Sequence, residues 1–73
     1  MTDKLKKKKN AFVTNQLQEL IKSIDKNVLY LRYEAEGPDE YVYVHFANTY
    51  ISRINVTCDS FAAMTLDVVR HFA

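Results

Sequence analysis

Cys58 and His45 are the two side chains of this sequence that invite a nucleophile-and-base reading. A reactive thiolate needs a base within hydrogen-bond reach and partial exposure. In the alternating run Ile51–Cys58, the cysteine shares parity with Ile54 and Val56, the apolar side. In the run Tyr41–Ala47, His45 shares parity with Tyr41 and Tyr43, the opposite side. The pair is therefore expected on opposite faces of a sheet, with Cys58 a small buried apolar residue. Metal ligation needs three or four converging His, Cys, Asp or Glu side chains. His45 and His71, far apart and without a cysteine pair, do not supply that pattern, and His71 instead suits the negative end of a helix. Glu34, Glu36, Asp39 and Glu40 gather around one turn, but their spacing matches no calcium loop, so a solvated acidic turn is expected. With one glycine in the chain there is no glycine-rich phosphate loop. The residues point away from catalysis, and no metal or cofactor is expected.

A different chemistry stands on the polar side of the same runs. Tyr30, Arg32, Tyr43, His45, Arg53 and Asn55 fall on one face of three neighbouring strands. Tyrosine and arginine offer large contact areas at modest entropic cost and concentrate in binding hot spots. The same residue types also serve as cross-strand pairs on a water-facing sheet.

The elements that must position these residues follow from periodicity. Residues 1–9 hold five lysines (Lys4, Lys6, Lys7, Lys8 and Lys9) against one aspartate, and are read as a flexible basic tail ahead of a single domain over 10–73. Val13, Leu17, Leu20, Ile21 and Ile24 recur at three- and four-residue steps, predicting a helix over about 11–26. Three strands follow over Val28–Glu36, Tyr41–Ala47 and Ile51–Cys58. Their inner face reads Leu29, Leu31 and Tyr33, then Val42, Val44 and Phe46, then Ile54, Val56 and Cys58. A Gly37-Pro38-Asp39-Glu40 turn sets Glu36 against Tyr41, which places Glu34 opposite Tyr43 and Arg32 opposite His45. A three-residue Asn48-Thr49-Tyr50 loop then brings Ile54 to Val44 and Val56 to Val42, and such loops carry a left-handed residue. Asp59 or Ser60 caps a last helix over 60–72, with Phe61, Thr65, Val68, Val69 and Phe72 as its main stripe and Met64 opposite. The fold class is α+β: an αβββα two-layer sandwich, a three-stranded antiparallel meander with both helices on one face.

Charge and size bound the function. The lysine run is net +4, which leaves −3 for the remainder of a chain whose total is +1. One cysteine excludes an intramolecular disulfide and fits a reducing cytoplasm. No apolar segment follows the lysines, so neither an export signal nor a membrane span is expected. A chain of 73 residues buries a modest core, and self-association is one way to enlarge it.

The stretch Ile54-Asn55-Val56-Thr57-Cys58-Asp59-Ser60-Phe61-Ala62-Ala63-Met64-Thr65-Leu66-Asp67-Val68-Val69-Arg70 resembles the C-terminal half of small uncharacterised prophage-encoded proteins of Gram-positive bacteria. In those a last strand passes through an Asp-Ser cap into a terminal amphipathic helix. The resemblance implies a cytoplasmic protein that binds a host or phage macromolecule, and it carries over no catalytic residue. Together these readings predict a non-catalytic protein-binding module acting through the outer sheet face or the apolar side of the last helix, as a homodimer or with a different protein. The alternative is nucleic-acid binding, with the tyrosines stacking bases and Lys4–Lys9 attracting phosphates.

Overall fold

A computed structural model describes residues 3–72. Met1 and Thr2 of the expected tail, and Ala73 of the expected domain, lie outside the described residues. The elements are α1 (Asp3–Phe12), a π-helical segment (Val13–Leu17), α2 (Gln18–Ile24), β1 (Val28–Glu36), β2 (Asp39–Phe46), β3 (Ile51–Asn55) and α3 (Phe61–His71). The strands form one antiparallel sheet in the order β1-β2-β3. Val13, Leu17 and Ile21 from the first helical run share one buried cluster with Met64 and Val68 of α3 and with the inner strand residues. Phe12 and Phe61 stack with ring centroids 5.0 Å apart, joining the two helical units. Both therefore cover the same sheet face, and the α+β sandwich is as expected.

The helical run begins at Asp3 rather than near Ala11. Lys9, Val13, Leu17 and Ile21 are its buried positions, spaced four residues apart. In a plain α-helix each such step advances by about 40° past a full turn, so the row would drift off the sheet. The wider π-helical turn, where the N–H of Gln18 reaches the carbonyl of Val13, turns the row back. Leu20 and Ile24, expected in the stripe, are left exposed. Gln18, on the polar side of the helical pattern, accepts a hydrogen bond from the Leu31 N–H at 3.1 Å and so occupies one donor on the free edge of β1.

Strand parity is as expected, but both registers are displaced by two residues. Glu36 pairs with Asp39, Arg32 with Tyr43, and Leu31 with Val44. Asp39 and Glu40 belong to β2, leaving Gly37-Pro38 as a two-residue loop. Gly37 has φ 60, and the ring of Pro38 fixes a negative φ, which together give a type II′ turn. In the second hairpin Val42 meets Ile54 and Val44 meets Ser52. The loop has three residues, Ala47-Asn48-Thr49, one position earlier than expected, and Thr49 is its left-handed residue with φ 71. The inner face also loses two expected members. A bulge between Val28 and Tyr30 turns Leu29 outward and buries Val28. β3 ends at Asn55, and Cys58 sits in the following loop with φ 62, exposed rather than buried.

Ser60 caps α3, its side chain accepting the Ala63 N–H at 3.1 Å. Val68 is buried and Val69 and Phe72 pack against the core as expected, but Met64 is buried as well and Phe61 and Leu66 are exposed, so the helix is turned partway from the expected phase toward Met64. Ser52 explains the rotation. It is buried opposite Val44, and its Oγ lies 2.7 Å from Nε2 of His71. A buried hydroxyl needs a partner, and meeting His71 turns the 64–68–71 side toward the sheet.

Candidate functional site

The outer sheet face carries no helix, and the strand pairings arrange it in cross-strand rows. Tyr30, His45 and Ile51 form the first, Arg32, Tyr43 and Arg53 the second, and Glu34, Tyr41 and Asn55 the third. All six residues singled out by pattern (Tyr30, Arg32, Tyr43, His45, Arg53 and Asn55) are thus brought onto one surface. The face runs from an apolar aromatic end, through a cationic centre, to an acidic end where Glu36 opposes Asp39.

Side-chain contacts pre-order this surface. The Tyr30 and His45 rings stack at 4.2 Å, 12° from parallel. The Arg32 guanidinium lies 4.3 Å above the Tyr43 ring, and that of Arg53 lies 4.5 Å above Tyr41. Such cation–π contacts hold a guanidinium without using its hydrogen-bonding fork. Arg32 also pairs with Glu34 at 2.7 Å, and the Tyr43 hydroxyl donates to Glu36 at 3.1 Å. Arg53 makes no ion pair among the described residues. Burial, followed by the charge of Arg32, lowers the pKa of His45 and favours the neutral ring. Asn55 has a local role as well, its Oδ1 accepting the Thr57 N–H at 2.9 Å.

The lysines do not act as one group. Lys4, Lys7 and Lys8 are exposed on α1 and Lys6 is half-buried. Lys6 and Lys7 border a groove with Tyr33 and Glu34, beside β1. Lys9 is not part of an electrostatic tail at all. It is buried, with Nζ 2.7 Å from Oε1 of Glu40. The Tyr33 hydroxyl donates to that oxygen at 2.6 Å, and the Cys58 N–H donates to Oε2 at 3.0 Å. Glu40 is therefore a buried hub instead of a member of a solvated acidic turn. Burial alone would raise its pKa, but the hydrogen bonds from Lys9, Tyr33 and Cys58, with the Lys9 charge, bring it below the ordinary value. Burial, then the bond to Glu40 and its charge, raises that of Tyr33. A four-residue step from Val13 back to Lys9 was the available sequence signal for this cluster. A lysine inside a lysine run disguised it.

A cleft of about 460 Å³ is lined by Lys9 and Glu40 of the cluster together with Leu5, Phe61, Cys58 and Asp59. Cys58 is exposed there, and its backbone N–H is the one bonded to Glu40. Among the described residues no group of three or more His, Cys, Asp or Glu is placed to hold a metal ion. No described helix is long and apolar enough to cross a membrane. Comparison with known proteins finds no matching family model, no matching curated protein and no matching solved structure.

Proposed function

We propose that this protein is a small non-catalytic binding module whose partner is another protein, engaged through the outer sheet face. The observation that carries this reading is the Arg32–Tyr43–Arg53 row, ordered in advance on a face no helix covers. Pre-ordered arginine and tyrosine side chains lose little entropy on binding, which is how such residues become hot spots. Exposed Leu29, Tyr30 and Ile51 at one end supply apolar area for an anchor. The row also bears on the partner's identity. Stacking this face on a second copy, centred on the row, sets arginines against arginines, so a different protein with acidic groups fits better than a homodimer. The resemblance of residues 54–70 to prophage-encoded proteins implies a role of the same kind, binding a host or phage macromolecule in the cytoplasm.

Capture of a partner from the source cell, repeated with Arg32→Ala and Tyr43→Ala, tests the reading. Binding should fall at least about tenfold in each variant while thermal unfolding stays within a few degrees of wild type. Undiminished capture by both variants would exclude the face. Nucleic-acid binding is the second reading, supported by the helical lysines Lys4, Lys6, Lys7 and Lys8 and opposed by Glu34, Glu36 and Asp39 at the rim. Titration with a single-stranded oligonucleotide separates the two, because phosphate contacts weaken steeply with salt.

A further inference from the structure

The two edges of the sheet are treated differently. On β1, the helical run packs alongside and Gln18 occupies the Leu31 N–H. On β3 nothing comparable occurs. The Phe46 N–H donates to the Tyr50 carbonyl and the Val56 N–H to the Glu40 carbonyl, each at 2.9 Å, which fixes the alternation of the β2–β3 ladder. Ser52 and Ile54 exchange their bonds with β2, so Ile51, Arg53 and Asn55 turn their N–H and C=O groups away from the sheet. None of those three N–H groups has another partner among the described residues. An uncovered row of backbone donors and acceptors is a template for a further strand.

Side chains say what that strand should carry. Arg53 ends the Arg32–Tyr43–Arg53 row at the edge, has no ion pair among the described residues, and keeps its guanidinium fork free above Tyr41. Ile51, two residues away on the same face, is 50% exposed. An added strand would place an acidic residue opposite Arg53 and an apolar one opposite Ile51. A second copy cannot do this through its own β3. The segment Ile51-Ser52-Arg53-Ile54-Asn55 contains no acid, and symmetric pairing about Arg53 sets arginine against arginine.

We propose that the β3 edge takes up an extended acidic–apolar segment of a partner protein as a fourth strand. Main-chain bonds at Ile51, Arg53 and Asn55 supply the pairing, and a charge-assisted contact from Arg53 selects the acidic residue. The site borders the outer face and shares Arg53 and Ile51 with it, but its pairing rests on the β3 main chain and not on the Arg32–Tyr43 contact.

Backbone amide resonances of the labelled full chain report on the edge directly. The probe is a short capped peptide of alternating valine and threonine with glutamate at its centre, compared with the same peptide carrying lysine there. The glutamate peptide should shift the Ile51, Arg53 and Asn55 amides, slow their hydrogen exchange, and bind about tenfold more tightly than the lysine peptide. Arg53→Glu should reverse that order. Tyr30→Ala, on the far strand, should leave peptide binding unchanged whether or not the outer face holds a partner. No saturable shift at millimolar peptide overturns the proposal, as do equal binding of both peptides or shifts confined to β1. Sedimentation showing a dimer, with these three amides already protected in the free protein, assigns the edge to a second copy and also overturns it.

Discussion

The ammonium of Lys9 lies 2.7 Å from the carboxylate of Glu40, with only 5% and 4% of the two side chains exposed. This pair ties α1 to the strand hairpin, and the Cys58 N–H brings in the loop before α3. Removing one member of a buried pair strands the other charge, at a cost of about 3–5 kcal/mol. Lys9→Ala and Glu40→Ala should each lose stability on that scale in urea unfolding. Lys9→Met combined with Glu40→Leu should lose far less than the sum, since no unpaired charge remains. Losses that simply add would show that the pair is not coupled.

Asp59 predicts a pH dependence of definite sign. Among the described residues its buried Oδ2 accepts no hydrogen bond from an N–H donor, and it faces the Asp67 carboxyl. Burial first, then the neighbouring Asp67 carboxyl and the Glu40 charge, partly offset by Lys9, push its pKa from 3.8 up to about 6. Between those values the folded chain keeps a proton that the unfolded chain has released. The stability this group contributes is therefore full below its unfolded value and is lost as pH rises through about 6. Glu40 acts oppositely, since its lowered pKa contributes stability that disappears as pH falls through the folded value. Asp59→Asn isolates the first effect. It should raise the unfolding temperature near neutral pH and change little at pH below 3.8, and a uniform rise across pH would contradict the assignment.

Among the described residues three have left-handed backbones, and one of them is glycine: Gly37, Thr49 and Cys58. A β-carbon on Gly37 would meet nothing within 4 Å, so Gly37→Ala tests the backbone alone. It should cost about 1 kcal/mol, the penalty for an L side chain in that conformation. Thr49 already carries that penalty with a branched side chain. Thr49→Asn should therefore stabilise by about 0.5–1 kcal/mol, because asparagine tolerates the left-handed region. Thermal unfolding of both variants checks the opposite signs.

How far the sequence could be read depends on what kind of signal each feature leaves. Alternation put Tyr30, Arg32, Tyr43, His45, Arg53 and Asn55 on one face, and the structure keeps them there, because a displacement of two residues preserves parity. Register itself rests on turn chemistry. Gly37-Pro38 closes a tighter loop than a four-residue turn because glycine takes the positive φ and proline the negative one. The bulge that exposes Leu29, and the departure of the chain from β3 before Cys58, leave no periodic trace. Lys9 and Glu40 were hidden for a different reason. Each looks like solvated surface alone, and burial becomes favourable only once tertiary structure brings the partners together.

The phase of α3 offers the sharpest contrast between pattern and packing. Counting apolar residues favours Phe61, Val68, Val69 and Phe72, with Met64 on the opposite side; Val68 is buried as expected and Val69 and Phe72 pack against the core. In the structure Met64 is fully buried and Leu66 is 53% exposed. An unbranched thioether can fill an irregular gap beneath the sheet, and the Ser52–His71 hydrogen bond holds the helix in that rotation. Met64→Ala should cost about 2–5 kcal/mol, as for other buried large-to-small changes. Leu66→Ala should stay within about 0.5 kcal/mol, as at exposed positions. The reverse order in chemical unfolding would return α3 to the phase that periodicity suggests. Unchanged stability combined with a loss of self-association in Leu66→Ala would instead make the exposed side of α3 an interface between copies.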